Sequence, residues 1–462
     1  MKKATKRRPA SSRSSEATQP TSEGNVMGRR LAFAIWPTAL LALLAAWTWQ
    51  KQHAGDVPVL QWAPDKPLAA FLGARTRPVV LRNSLVTSWP ALARWDFAYL
   101  AKSSRKSLQG LFHHTGPVFG PFYDEKRPLH GRHRIRRPDA SYETNATLPL
   151  ARLAVTFAPG NEPSEYWAFS GSLRDIDKAL EKEVDLRELL SLYPQHSSVN
   201  LWLSMEGGVT PCHFDGFHNM YVQIAGVKRF LLLPPDSHAS REFYPFLHPS
   251  YAQCRNRLAD SPSGHVMEVT LQPGDLLYLP PFWLHEAVGL SPSISLNVWT
   301  GIDDSQRMER ILGMQIPGFR GGSPSATSPA GALSPETLSV SMAARFQLGS
   351  LLVLDVAKKL YNSTALVVSL FHSRFQFLKD SEALPPCPRH LCSSVAAWLR
   401  RNEAAPPALA AAGGAYAQRV AEELQAMQTE NSIWFFNFIE AVALQAAGAP
   451  EHAGWMVECL AL

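Results

Sequence analysis

Between Val57 and Thr300 the chain is built of short apolar runs punctuated by Gly, Pro and polar residues. Val79–Leu81, Val199–Met205, Tyr221–Ile224, Arg229–Leu233, Leu276–Leu279 and Ser293–Trp299 carry the aromatic and β-branched side chains that suit a pleated surface. They predict an all-β barrel with some helices over residues 57–300. Asp175–Leu192 follows another rhythm, with Ile176, Leu180, Val184, Leu186 and Leu189 at roughly helical spacing, and predicts one helix. Residues 317–337 are rich in Gly, Ser, Pro and Ala and predict a flexible linker. Beyond them, residues 338–462 form a helical C-terminal region, with helices expected over Met342–Leu360, Val395–Arg401 and Ala415–Gln445 and an interruption at Ala408–Gly414. Leu351–Leu354 and Val367–Phe371 are apolar, but Asp355, Lys358 and Lys359 between them argue against a membrane span.

The N-terminus departs from the soluble pattern. Leu31–Trp49 is an uncharged run of 19 residues, close to the roughly 20 that cross a bilayer as a helix. Trp47 and Trp49 close it, where aromatic rings favour the membrane interface. Residues 1–30 hold 8 Lys or Arg against 2 Glu and read as a basic, disordered cytosolic tail. This bias predicts a signal anchor with everything after the span across the membrane, in the secretory lumen. The competing reading is an organelle transit sequence for mitochondrion or plastid, since such tails are also Ser- and Arg-rich.

Charge changes the picture less than it promises. The net charge of +6 is carried by the tail, and the remaining residues balance at 37 basic and 37 acidic. Nothing there supports a nucleic-acid surface. The local exception, Lys126–Arg137, is a solvated loop or a site for an acidic substrate segment. Five cysteines exclude a disulfide framework, although Cys387 and Cys392 can pair in an oxidising lumen.

Candidate chemistry gathers in two segments. Thr210-Pro-Cys-His-Phe-Asp215 places His213 and Asp215 two residues apart, on one side of an extended chain, with Phe214 turned away. Pro273-Gly-Asp leads through Leu276–Leu279 to His285. Two neutral imidazoles and one carboxylate occupy one face of an octahedral metal and leave the other positions open, as in non-haem Fe(II) oxygenases. Lys228 follows an apolar stretch and faces either solvent at a hairpin after Gly226 or an anionic partner inside the barrel. Other residues carry less. His218 is a further ligand or, more simply, a strand-end histidine facing water. His113, His114, His130 and His133 have no carboxylate at ligand spacing and read as surface residues. Cys212 reads as a small buried hydrophobe, and Phe282-Trp283 as core packing.

The segments Thr210–Asp215, Lys228-Arg-Phe-Leu-Leu-Leu-Pro-Pro-Asp236 and Gly274–His285 resemble the cupin-like JmjC 2-oxoglutarate oxygenases, with the group around factor inhibiting hypoxia-inducible factor as the most similar. Arg77–Arg82 and Trp89–Trp95 are similar to that family's opening strand and following helix, so the resemblance spans roughly Val57 to Thr300. It implies a double-stranded β-helix of cupin or jelly-roll type with flanking helices. It also implies Fe(II) held by His213, Asp215 and His285, with 2-oxoglutarate and O₂ as cosubstrates. Lys228 and Thr210 match the family's contacts to the distal carboxylate, and Asn219 and Asn297 match polar positions of the cosubstrate pocket. The family's pocket tyrosine falls at Tyr166 or Trp167. The implied activity is hydroxylation of a protein or peptide side chain. N-methyl demethylation, a non-catalytic cupin module and tRNA hydroxylation stand as alternatives. The C-terminal helices are similar in position to the dimerising helices of relatives, which leaves a homodimer open.

Overall fold

The computed structural model describes residues 56–317, 342–362 and 407–455, apart from short segments such as 131–142. The Leu31–Trp49 span, the linker beyond Pro317, Val395–Arg401, Cys387 and Cys392 lie outside the described residues. Among the described residues no helix is long and apolar enough to cross a membrane.

Thirteen described strands form two sheets. The larger holds β1 (Val59–Gln61), β2 (Val79–Arg82), β3 (Ser107–His114), β4 (Glu143–Pro149), β5 (Tyr166–Ser172), β6 (Ser198–Ser204), β8 (His218–Ala225), β11 (Leu276–Leu279) and β13 (Ser293–Thr300), in the order β1-β2-β11-β8-β13-β6-β5-β3-β4. The smaller holds β7 (Val209–His213), β9 (Lys228–Leu233), β10 (Met267–Leu271) and β12 (Leu284–Gly289), in the order β10-β9-β12-β7. The six runs read as strands are all strands, with ends displaced by at most one residue except that the Tyr221–Ile224 strand begins three residues earlier, at His218.

Burial explains why these strands read as continuous apolar runs rather than alternating ones. Along β9, Phe230 and Leu232 enter the core shared by the two sheets, while Leu231 and Leu233 join the cluster on the outer face. Along β11, Leu277 and Leu279 point in, and Leu276 and Tyr278 pack under the N-terminal helices. A strand covered on both faces has no polar side to show. The outer face of the small sheet is covered by α1 (Asp303–Gly313), α2 (Met342–Tyr361), α3 (Pro407–Gln425) and α4 (Asn431–Ala447), whose apolar residues share one cluster with Cys212, Phe214 and Leu284.

Two turns need glycine. Gly226, at φ +71° between β8 and β9, leaves no room for a Cβ, which would stand 2.1 Å from the Pro292 carbonyl oxygen. Gly274, at φ +93°, forms the Pro-Gly-Asp turn before β11, where the Asp275 carboxylate accepts from Gln272 N at 2.8 Å and pairs with Arg82 at 2.7 Å.

Two helix expectations are corrected. Asp175–Leu192 is not one helix but three short pieces, Leu173–Ile176, Leu180–Glu183 and Arg187–Leu192. The side chains of Asp177 and Asp185 accept from the N–H groups of Ala179 and Arg187 at 2.8 and 3.2 Å, local turns that compete with helix propagation. In the C-terminal region the chain stays helical through Gly413-Gly414, where Gly413 lets Leu352 of α2 approach closely. The break falls instead after Gln425, where the Asp304 carboxylate of α1 captures the Gln428 N–H at 3.0 Å.

Candidate metal centre

β7 and β12 are antiparallel neighbours, and their register sets His285 directly opposite His213. Cross-strand partners lie close enough for their side chains to meet, and the two rings are 4.1 Å apart between centroids. Asp215 follows just past the end of β7, its carbonyl accepting from Phe282 N at 2.7 Å. Its carboxylate reaches within 3.7 Å of the His285 Nε2. The donor atoms of His213, Asp215 and His285 all lie within 4.8 Å of one another, and the three residues form a group able to hold a metal ion. Phe214 packs on the opposite side against Phe243, Tyr251 and Phe282, as the i, i+2 pattern requires.

Each histidine has its second nitrogen engaged. His213 Nδ1 lies 2.8 Å from the Pro211 carbonyl and His285 Nδ1 2.9 Å from the Trp283 carbonyl. A carbonyl accepts only, so Nδ1 carries the proton and the lone pair of Nε2 faces the centre. Burial, and after it the nearby His213, hold the His285 imidazole well below the usual histidine range. It is therefore a neutral donor at physiological pH, which is the form a metal needs.

The carboxylate is reached by a chain of amides. Trp202 Nε1 donates to Asn297 Oδ1 at 2.8 Å, Asn297 Nδ2 to Asn219 Oδ1 at 3.1 Å, and Asn219 Nδ2 to Asp215 Oδ2 at 3.4 Å. Asn219 and Asn297 are thus brought together, both buried, and they orient Asp215. Trp202 was not singled out by the sequence, because nothing in its local pattern marks a tryptophan as a hydrogen-bond donor to a residue on another strand.

Lys228 is 5% exposed, which excludes the solvent-facing reading. Its amine donates to the Tyr221 hydroxyl at 2.8 Å, and Lys228 and Thr210 line the same cavity with Phe112, Phe119, Trp202 and Ser204. Tyr221 is a second residue that sequence reasoning missed. It sits inside an apolar run and declares no polar role until β8 and β9 fold together. From β5, Ala168 and Phe169 line the cavity, whereas Tyr166 lies against Gly207 and Trp167 stacks on His113 at 4.3 Å.

The remaining histidines stand apart from the triad. His218 contacts the Tyr278 hydroxyl at 2.8 Å and is pushed down to about 4 by burial, so it is neither a ligand of the group nor turned to water. His113 is no free surface residue: it is half-buried and lies 3.1 Å from the Glu165 carboxylate. His130 lies 3.1 Å from the Tyr123 hydroxyl, and His133 lies outside the described residues. Cys212 is buried as expected, yet it is also bonded to Cys254. That disulfide corrects the reading of Cys212 as a simple hydrophobe. Phe282 and Trp283 are core residues.

The profile of the cupin-like domain matches residues 67–300. Jumonji C domain-containing protein 5 of Drosophila melanogaster is 28% identical over 245 residues, covering 48% of this chain and 54% of that protein. HSPB1-associated protein 1 homolog of Danio rerio is 32% identical over 266 residues, with 51% and 55% covered. Lysine-specific demethylase JMJ31 of Arabidopsis thaliana is 28% identical over 259 residues, with 48% and 45% covered. The chain therefore spans about half the length of the curated relatives it matches.

Proposed function

We propose, on the premise that this chain belongs to the cupin-like domain family, that it is an Fe(II)- and 2-oxoglutarate-dependent dioxygenase that hydroxylates a protein side chain. The observation that carries the reading is the triad of His213, Asp215 and His285, whose two histidines stand two residues along β7 and β12 from Pro211 and Ala287, which line a cavity together with the buried Lys228. The donor set fits iron: two neutral imidazoles and one carboxylate leave coordination positions for substrate and O₂. Bound there, iron supplies the oxidative chemistry in which 2-oxoglutarate and O₂ yield succinate, CO₂ and one oxygen atom inserted at a substrate C–H bond.

The chain's own residues do the rest. His213 and His285 present Nε2 because the Pro211 and Trp283 carbonyls hold their Nδ1 protons. Asn219, Asn297 and Trp202 fix the Asp215 carboxylate. Lys228 and Thr210 offer a cation and a hydroxyl to the distal carboxylate of 2-oxoglutarate, and Tyr221 aligns the lysine. A carboxylate in so apolar a cavity needs both charge and hydrogen bonds to be held there. Phe112, Phe119, Phe122 and Phe169 line the cavity and give it apolar walls.

Demethylation of an N-methyl group uses the same oxidation with loss of formaldehyde, and the similarity to lysine-specific demethylase JMJ31 keeps it as the second reading. Substrate capture with the metal-loaded chain and an inert 2-oxoglutarate analogue, then mass spectrometry, separates the two: gain of oxygen supports hydroxylation, and loss of methyl supports demethylation. Failure to bind iron, or to release succinate with a broad peptide panel, refutes both.

The same proposal places the catalytic domain in the secretory lumen, anchored by Leu31–Trp49. The Cys212–Cys254 bond supports that placement independently, since disulfides persist in oxidising compartments. Protease treatment of intact microsomes is expected to remove only the basic tail. Digestion of the catalytic domain without detergent reverses the topology, and a mature form lacking about 50 residues inside mitochondria or plastids establishes the transit sequence instead.

A further inference from the structure

The residues beside the two histidines turn away from the cavity, and both grip one segment. Cys212, which precedes His213, is bonded to Cys254 with Cα atoms 5.3 Å apart. Glu286, which follows His285, is fully buried. It accepts from Arg257 Nη2 at 2.7 Å and from Leu258 N at 3.0 Å. Between these two anchors Gln253 stands opposite His213 in an antiparallel bridge. Cys254 N donates to the Cys212 carbonyl and Phe214 N to the Ala252 carbonyl, each at 2.9 Å. β7 is the last strand of the small sheet, and 252–254 supplies hydrogen bonds that an edge strand otherwise lacks.

Gln253 carries the segment back to the site. Its side chain is buried, donates to the Phe122 carbonyl at 2.7 Å and accepts from Phe122 N at 2.8 Å. The Phe122 ring then stands edge-on to His213, 6.3 Å away between centroids, and lines the cavity. One segment thus fixes the backbone of one imidazole, the neighbour of the other and a wall of the cavity. A metal site holds its ion well only while its ligands keep their places within about 0.5 Å.

We propose that Ala252–Leu258 is a disulfide-locked brace for the two imidazoles, and that the oxidation state of Cys212–Cys254 sets the metal affinity of the site. The inference rests on the reading of His213, Asp215 and His285 as metal ligands. Opening the lock breaks the Sγ–Sγ bond. A dithiol supplies two electrons and two protons, leaves two cysteine thiols and closes to its own disulfide. The end of β7 then loses its covalent tie, and His213 is held by hydrogen bonds alone. Gln253, Glu286 and the cystine are positioning groups, since none of them reaches the metal.

The test compares the full-length chain in three forms: oxidised, reduced with dithiothreitol that is then removed under nitrogen, and Cys254→Ser. Co(II) is the probe, with its dissociation constant and visible d–d bands read well below the melting temperature. The reduced and Cys254→Ser forms are expected to bind Co(II) at least tenfold more weakly, with altered bands. Reoxidation is expected to restore the wild type and not the variant. Glu286→Gln keeps an acceptor for Leu258 N and is expected to fall between. Leu153→Ala, in the separate core under the large sheet, is expected to lower stability without moving the Co(II) bands. Equal affinity and equal bands in oxidised and reduced wild type overturn the brace, even if Cys254→Ser does not fold, and leave the metal reading standing. No Co(II) binding by the oxidised wild type overturns the metal reading itself, and the brace with it.

Discussion

Replacing Lys228 by Met tests the cosubstrate site most directly, because the structure separates its effect on the ligand from its effect on the fold. Lys228 is 5% exposed, and the one described hydrogen bond of its amine is to the Tyr221 hydroxyl at 2.8 Å. Met fills a similar volume, so the cavity wall is conserved. Without 2-oxoglutarate the variant loses one hydrogen bond, worth about 1 kcal/mol, and is relieved of burying an amine. Thermal stability is therefore expected to stay within about 1 kcal/mol of wild type. With 2-oxoglutarate the distal carboxylate is buried with Thr210 as its remaining polar partner among those proposed. Breaking a buried charge pair from one side costs about 3–5 kcal/mol. At about 1.4 kcal/mol per decade that is a loss of roughly two to three and a half decades in affinity. The measurement is calorimetric titration of 2-oxoglutarate into the Mn(II)-loaded chain without O₂, with the Mn(II) affinity checked in parallel. A dissociation constant within threefold of wild type, with metal binding intact, would refute Lys228 as the partner of that carboxylate.

Asn297→Leu removes the link between Trp202 and Asn219 and releases Asp215; Co(II) titration is expected to show about a 10- to 100-fold loss of metal affinity, the range for groups that orient ligands. Unchanged Co(II) binding rejects that chain as an orienting device. Gly226→Ala must hold φ +71° and place a Cβ against the Pro292 carbonyl, so a thermal melt is expected to show a loss of more than about 1–2 kcal/mol; a neutral result contradicts the hairpin geometry. Stability is expected to fall with acid. Burial pushes His218 down to about 4 and His248 down to about 3, so above pH 6.5 both are neutral folded or unfolded. Below it the unfolded chain takes protons that the folded chain refuses, and each histidine removes about 1.4 kcal/mol per pH unit until its folded value is reached. A melting temperature that is flat between pH 7 and 5 speaks against both burials.

The parts of this protein legible in its sequence are those in which neighbours along the chain carry the physics. The i, i+2 spacing places His213 and Asp215 together while sending Phe214 to the opposite packing. The two-sided apolar runs locate the strands, and Gly226 and Gly274 mark turns at positive φ, a backbone that favours glycine. Lys228 after an apolar stretch leaves solvent or a buried partner open, and its burial in the fold decides for the second. What waited on the tertiary structure are choices among partners far apart in the chain. Asp177 and Asp185 decide against a continuous helix only because their side chains reach local N–H groups, and Asp304 decides where α3 ends from more than a hundred residues away. Tyr221 becomes the contact of Lys228, Trp202 and the two asparagines become the support of Asp215, and Cys212 finds Cys254 because strand register and sheet order bring them within reach. A pattern along one chain fixes which face each residue shows. Which residue meets it there depends on how the two sheets are ordered and set in register, and no local spacing encodes that.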